Sequence, residues 1–249
     1  MVSIVLNGQP VQGEAEEVLL QTARRTGMAI PTLCDHEALL SYGSCRLCLV
    51  EITAGDKPGL VASCITPIKE GLVVETHSAR VTRARKVMVE LLRARCPESE
   101  QLQELAKELG VGPPRFPAEG NDCILCGRCV RACHELDLDS IGFTNRGGRR
   151  EVTTPFHRSS QVCIGCGVCA NLCPVNTIKI EETDHYKVLK NWDTRLELQR
   201  CSSCNKLFST ERQLLYLKER VSLPEEVFEL CQNCRKRSLV KVLASFPSR

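Results

Sequence analysis

The sequence predicts a multi-domain α+β chain in which small metal-bearing modules, rather than one large core, carry the fold. Sixteen of the seventeen cysteines fall into four sets of four at metal-ligand spacing. Aromatic residues make up only 4% of the 249 positions, too few for large aromatic cores. Closing a short loop around a metal supplies folding energy that burial must otherwise provide. The cysteine blocks divide the chain into residues 1–79, a helical connector at 80–117, residues 118–182 and residues 183–249.

In the first unit Val2, Ile4 and Leu6 alternate, Asn7-Gly8 marks a hairpin turn, and a second short strand is expected near Val11. Glu14 to Gly27 reads as an amphipathic helix with Val18, Leu19 and Ala23 inward and Gly27 as its stop. Leu49–Thr53 and Leu72–Glu75 read as strands. Between helix and strands lies Cys34-x10-Cys45-x2-Cys48-x15-Cys64. Three thiolates in one loop with a fourth further along suit a [2Fe–2S] centre. Gly43 and Ser44 would let backbone N–H groups approach the sulfurs. Structural zinc is the alternative, but these spacings match paired zinc knuckles poorly.

The connector turns to helical period. Val81, Ala84, Val87, Met88 and Leu91 recur at steps of three and four, and Leu102, Leu105 and Leu109 continue beyond a break at Cys96-Pro97. Gly110, Gly112 and Pro113-Pro114 mark a linker.

The third unit writes one motif twice: Cys123-x2-Cys126-x2-Cys129-x3-Cys133, then Cys163-x2-Cys166-x2-Cys169-x3-Cys173-Pro174. This is the run of bacterial two-cluster ferredoxins, in which three cysteines hold one [4Fe–4S] cube and the fourth reaches across to the other. One cube would take Cys123, Cys126, Cys129 and Cys173, and the other Cys163, Cys166, Cys169 and Cys133. Four thiolates packed this densely do not suit a pair of zinc knuckles. Gly127 and Gly167 hold equivalent places, where backbone amides could face the sulfurs, and His134 stands where the first copy lacks its proline. Ile141–Thr144 and Arg149–Thr153 read as a hairpin between the halves.

The last set, Cys201-x2-Cys204-x26-Cys231-x2-Cys234, pairs two C-x2-C knuckles, the signature of a four-thiolate zinc ribbon. A further iron–sulfur cluster is the alternative. Helices are expected at Thr210–Glu219 and Pro224–Leu230. Lys206 and the run Arg235-Lys236-Arg237 read as a solvated face that offsets thiolate charge. Four filled sites at roughly −2 each would take the formal charge of +3 to about −5, so composition gives no argument for nucleic acid.

No strand–loop–helix unit carries G-x-G-x-x-G and no P-loop occurs; Gly165-Cys166-Gly167 is the nearest approach, and its cysteine belongs to a cube. His36, His77, His134, His157 and His185 form no nucleophile or base constellation. Hydride chemistry is therefore expected on a partner, with this chain as a wire. The start lacks the basic and apolar regions of a signal peptide, and no stretch approaches a membrane span, so a cytoplasmic, soluble protein without disulfides is expected.

Cys34-Asp35-His36 with Gly43-Ser44-Cys45-Arg46-Leu47-Cys48-Leu49-Val50-Glu51, followed by the paired cubes, carries a resemblance. Residues 1 to about 181 resemble the N-terminal part of the large iron–sulfur subunit of respiratory NADH:quinone oxidoreductase. Hydrogenase diaphorase subunits, [FeFe]-hydrogenase N-termini and subunits of electron-bifurcating complexes share this domain order. The resemblance implies a β-grasp [2Fe–2S] domain and a bacterial-type 2[4Fe–4S] domain. It implies an electron-transfer subunit passing electrons between a flavoprotein that binds NAD(H) and FMN and ferredoxin or another redox subunit. A small thioredoxin-like [2Fe–2S] subunit often accompanies that flavoprotein, and bifurcating transhydrogenases and hydrogenases are the settings it suggests. The family usually adds a His-x3-Cys-x2-Cys-x5-Cys module between its two cluster domains. Here only Cys96 remains, with Leu92 at the histidine's place, so that site is expected to be absent and Cys96 to be a small buried apolar residue. The gap is expected to be bridged by closer contact with a partner or by a route that bypasses the N-terminal domain. The rival reading is an iron–sulfur redox sensor with a zinc-ribbon effector domain.

Overall fold

A computed structural model describes residues 1–244 as mixed α and β structure. Strands β1 (Val2–Leu6) and β2 (Gln9–Gly13) form the expected hairpin, with Ile4 opposite Val11. Asn7 and Gly8 sit at φ 51° and 77°, the left-handed pair that a two-residue hairpin loop requires. After helix α1 (Leu19–Arg25), strands β3 (Leu49–Ala54), β4 (Gly59–Ala62) and β5 (Val73–Glu75) complete a sheet of order β2-β1-β5-β3-β4. Only β1 and β5 run parallel. Leu19, Leu20 and Ala23 of α1 pack on Ile4, Leu6, Val50, Ile52 and Val74. At about 1.5–3 kcal/mol for each large aliphatic side chain, this burial stabilises a seven-residue helix too short to hold alone.

Two details differ from the sequence reading. The first helix begins at Leu19, not Glu14: Val18 is extended and bridges Pro67, and Glu16 lies at φ 83°, outside helical geometry. Strand β4, for which the sequence carries no expectation, pairs with β3.

The connector forms α2 (Ala79–Arg95) and α3 (Glu100–Glu108), broken at Cys96-Pro97 as expected. Ser78 and Ser99 cap them, accepting from the amides of Val81 and Leu102. The buried face of α2 runs through Val81, Arg85, Val89 and Ala94, while Leu91, part of the helical period, is 44% exposed. Arg85 is accommodated because its guanidinium donates to the Leu49 carbonyl at 2.7 Å.

The duplicated segment supplies α4 (Arg128–Glu135), the hairpin β6 (Gly142–Thr144) and β7 (Glu151–Thr153), and α5 (Val168–Asn171). Strands β8 (Ile180–Glu182), β9 (Tyr186–Leu189), β10 (Thr194–Arg200) and β11 (Leu207–Thr210) then form an antiparallel sheet in the order β11-β10-β9-β8. The expected boundary at 182/183 falls inside this sheet, between the paired β8 and β9. Helices α6 (Glu211–Arg220) and α7 (Glu225–Glu229) match the two expected stretches, and α8 (Gln232–Ala244) is additional. Among the described residues no helix is long and apolar enough to cross a membrane.

Candidate metal centres

The loop between α1 and β3 carries Cys34, Cys45 and Cys48, and a single helical turn after β4 brings in Cys64; all four are buried. The Cys48 and Cys64 sulfurs lie 3.3 Å apart. Backbone amides reach two of the sulfurs, Leu33 to Cys45 at 3.4 Å and Cys45 to Cys34 at 3.5 Å. Hydrogen bonds from the Cys45 and Cys64 thiols hold Cys34 far below the usual thiol range. The Cys34 partner and then burial push Cys45 up, and the Cys34 and Cys48 partners do the same to Cys64. Four buried sulfurs so close cannot all ionise unless a cation stands among them, so the donor set fits a [2Fe–2S] centre.

In the duplicated segment a cavity of 310 Å³ is lined by Cys123, Cys126, Cys129 and Cys173. A second, tighter cavity is lined by Cys133, Cys163, Cys166 and Cys169. Each half of the repeat thus sends its fourth cysteine to the other half's cavity, the arrangement expected of paired cubes. Gly127 and Gly167 are the left-handed residues, at φ 72° and 78°, that open α4 and α5. The Leu125 amide donates to Cys123 Sγ at 3.4 Å and the Ser140 amide to Cys133 Sγ at 3.3 Å. Burial pushes Cys126 up to about 11 and Cys169 to about 12, so here too the anionic form needs a bound cation.

Residues without a sequence signal hold these loops together. Arg131 of α4 donates to the Cys34 carbonyl at 2.6 Å and to that of Leu40, and Arg128 donates to the Asp35 carbonyl. Ser44, beside Cys45, donates its hydroxyl to the carbonyl of Leu125, beside Cys126, at 3.0 Å. Tyr42 stacks on Phe143 with ring centroids 6.3 Å apart. Cys34, Cys45, Cys96 and Cys126 share one apolar cluster, with Leu92 packed on it. The N-terminal cysteine loop therefore packs directly on the loop that carries Cys126, a contact made within this chain. Arg95 donates to the Cys123 carbonyl at 2.7 Å, and the single tryptophan, Trp192, lines both cavities. Both residues lie far in sequence from the cysteines they serve, which hid them.

At the C-terminal end the sulfurs of Cys201, Cys204, Cys231 and Cys234 all lie within 4.8 Å of one another, with Cys204 and Cys231 at 3.7 Å. Tetrahedral metal–sulfur bonds of about 2.3 Å set sulfurs about 3.8 Å apart, the geometry of one ion. A cube spreads its thiolates further, because each binds a different iron. The Cys231 amide donates to Cys201 Sγ at 3.2 Å and holds that thiol down at about 6, and Arg237 reaches Cys234 Sγ at 3.1 Å.

Residues 1–79 match a 2Fe-2S iron-sulfur cluster binding domain and residues 118–180 a 4Fe-4S dicluster domain. The chain is 32% identical over 205 residues to the mitochondrial NADH-ubiquinone oxidoreductase 78 kDa subunit of Neurospora crassa, covering 71% of this chain and 27% of that protein. It is 30% identical to the NADPH-Fe(3+) oxidoreductase subunit alpha of Geobacter sulfurreducens, covering 72% of this chain and 24% of the relative. An NADH-quinone oxidoreductase subunit of Rickettsia typhi is also 30% identical, with 72% and 30% covered. The chain therefore spans less than a third of the length of the curated relatives it matches. The crystal structure of an NAD+-reducing [NiFe]-hydrogenase in the H2-reduced state matches with a TM-score of 0.60 and 27% identity, covering 70% of this chain and 85% of that one. The chain therefore carries a 2Fe-2S iron-sulfur cluster binding domain followed by a 4Fe-4S dicluster domain, and over 71–72% of its length it is similar to the mitochondrial 78 kDa subunit and its bacterial NADH-quinone oxidoreductase counterparts.

Proposed function

We propose that this chain is the electron-transfer iron–sulfur subunit of an NAD(P)-dependent oxidoreductase complex, with no active site of its own. The observation that carries this is the docking of the N-terminal cysteine loop on the first cube's loop, through Ser44, Arg128 and Arg131. Cys34, Cys45, Cys48 and Cys64 would hold one [2Fe–2S] centre. The cavity sets Cys123, Cys126, Cys129, Cys173 and Cys133, Cys163, Cys166, Cys169 would hold one [4Fe–4S] cube each. When bound, these centres supply one-electron transfer. The chain's own residues pack the ligands against apolar side chains, aim amides at the sulfurs, and set the loops at contact distance. Zinc is assigned to Cys201, Cys204, Cys231 and Cys234 on their close spacing. So many reduced thiols suit a reducing compartment such as the cytoplasm.

The relatives' names, which are those of NADH-, NADPH- and NAD+-linked oxidoreductases, support redox partners; those proposed are a flavoprotein subunit binding NAD(H) and FMN, with or without a thioredoxin-like [2Fe–2S] subunit, and ferredoxin or a further redox subunit on the other side. A bifurcating transhydrogenase or a hydrogenase is the setting proposed. Anaerobic purification through a tag on this chain tests the reading. It predicts a co-eluting flavoprotein and cluster bleaching-and-return when NADH or NADPH and then an oxidant are added. Retention of specific DNA with no flavoprotein partner would overturn it in favour of a redox sensor.

A further inference from the structure

We infer that the groove walled by β11, α6, α7 and α8 is the docking site of a small acidic electron-carrier protein. This rests on the electron-transfer reading above and adds where, and by what chemistry, the chain is met. The groove has a volume of 890 Å³. Its aliphatic lining includes Leu217, Val221, Leu223 and Leu239, which are between 37% and 59% exposed. Exposed aliphatic side chains gathered in one groove, rather than scattered singly, are what an interaction site offers.

Charge selects the partner. Lys187, Lys206, Arg235 and Lys236 line the groove against one carboxylate, Glu182. Glu182 is taken by Lys187 at 3.2 Å. Among the described residues Lys206, Arg235 and Lys236 make no ion pair. They are not consumed by the four thiolates either, whose cationic contact is Arg237. Unpartnered cations around an aliphatic floor complement a protein that rings an apolar contact patch with carboxylates. Nucleic acid phosphates would answer the cations and leave the floor uncovered.

Position selects a redox carrier among acidic proteins. Cys166, from the second cavity's cysteine set, also lines this groove. A carrier seated there touches the segment that holds a proposed cube ligand. One electron then passes from the holoprotein to the carrier, reducing the carrier's oxidised centre and reoxidising the donor, with no bond made or broken.

The test uses the anaerobically purified full chain and a small acidic [2Fe–2S] ferredoxin as probe, with binding followed by titration calorimetry. Wild type is expected to bind, with affinity falling at least tenfold between low and high salt. The triple variant K206E/R235E/K236E is expected to lose binding at least tenfold at low salt while keeping its EPR signals and metal content. Leu223→Glu, an exposed position, is expected to weaken binding with the charges intact. Unchanged binding in both variants overturns the docking site, as does tighter binding of a DNA duplex than of the ferredoxin at equal salt. Absence of any reduced-cluster EPR signal in wild type would overturn the electron-transfer reading itself, and the exit site with it.

Discussion

Gly165 shows how tightly single residues are constrained where the C-terminal sheet meets the second cavity. It stands at φ 71°, and a Cβ there would lie 2.7 Å from Leu196 Cδ1 and 2.8 Å from Thr210 Cγ2. Left-handed strain of about 1–2 kcal/mol adds to an overpacking cost of about 1–3 kcal/mol. Gly165→Ala should therefore destabilise the protein by about 2–5 kcal/mol, read as a lowered denaturation midpoint; an unchanged midpoint would show that β10 and β11 do not press on this loop. Cys96 is the opposite case, a buried thiol for which no metal role is expected. It is 2% exposed, donates its S–H to the Asn121 carbonyl at 3.1 Å, and burial pushes it up to about 12. Between the unfolded value near 9 and about 12 the folded chain keeps a proton that the unfolded chain has shed, so this residue's contribution to stability declines as pH rises through that window. Cys96→Ser should leave the iron content unchanged, and the wild-type thiol should resist alkylation at pH 8. Loss of about four irons in the variant would contradict that assignment.

Among the elements, α4 and α5 make the two cavities separable by experiment. Each opens on a left-handed glycine and carries a cysteine into its own cavity, while the fourth ligand crosses over. Cys173→Ser should then erase the centre proposed for the first half's cysteines, and Cys133→Ser that of the second half, as two distinct losses in low-temperature EPR. Loss of each half's own centre instead would mean uncrossed ligation. Local signals made several elements legible: the Asn7-Gly8 hairpin, the α2–α3 break at Pro97, and the doubled motif itself. Elements held by distant pairing were not. Strand β8 spans three residues and exists through its pairing with β9. Thr194, Leu196 and Leu198 do alternate, and that pattern could have found β10. Which cysteines come together was readable because their spacing is itself a chemical statement. Arg128 and Arg131 were not, because on a short helix a guanidinium looks like a solvated charge until the loop that it holds is in place.

At the scale of the whole molecule, the C-terminal unit is a buttress as well as the carrier of a four-cysteine cluster. Thr210 donates to the Ile164 carbonyl, Arg212 to that of Gln161 at 2.8 Å, and Tyr216 to that of Leu136 at 2.9 Å. The N-terminal sheet has a separate core. Chelation of the ion proposed for Cys201, Cys204, Cys231 and Cys234 should therefore raise proteolysis and amide exchange in residues 200–244 and disturb the centre proposed for the second cavity. The [2Fe–2S] signal should persist; its simultaneous loss would show that the units do not fold independently. The electron-transfer role depends on conductive inorganic centres occupying the sulfur sets, and one measurement reaches that claim directly: metal analysis of the anaerobically purified chain together with EPR after dithionite reduction. The expected result is about ten irons and about one zinc per chain, with [2Fe–2S] and [4Fe–4S] signals together. Clearly fewer than about eight irons, or a colourless and EPR-silent protein, would contradict it.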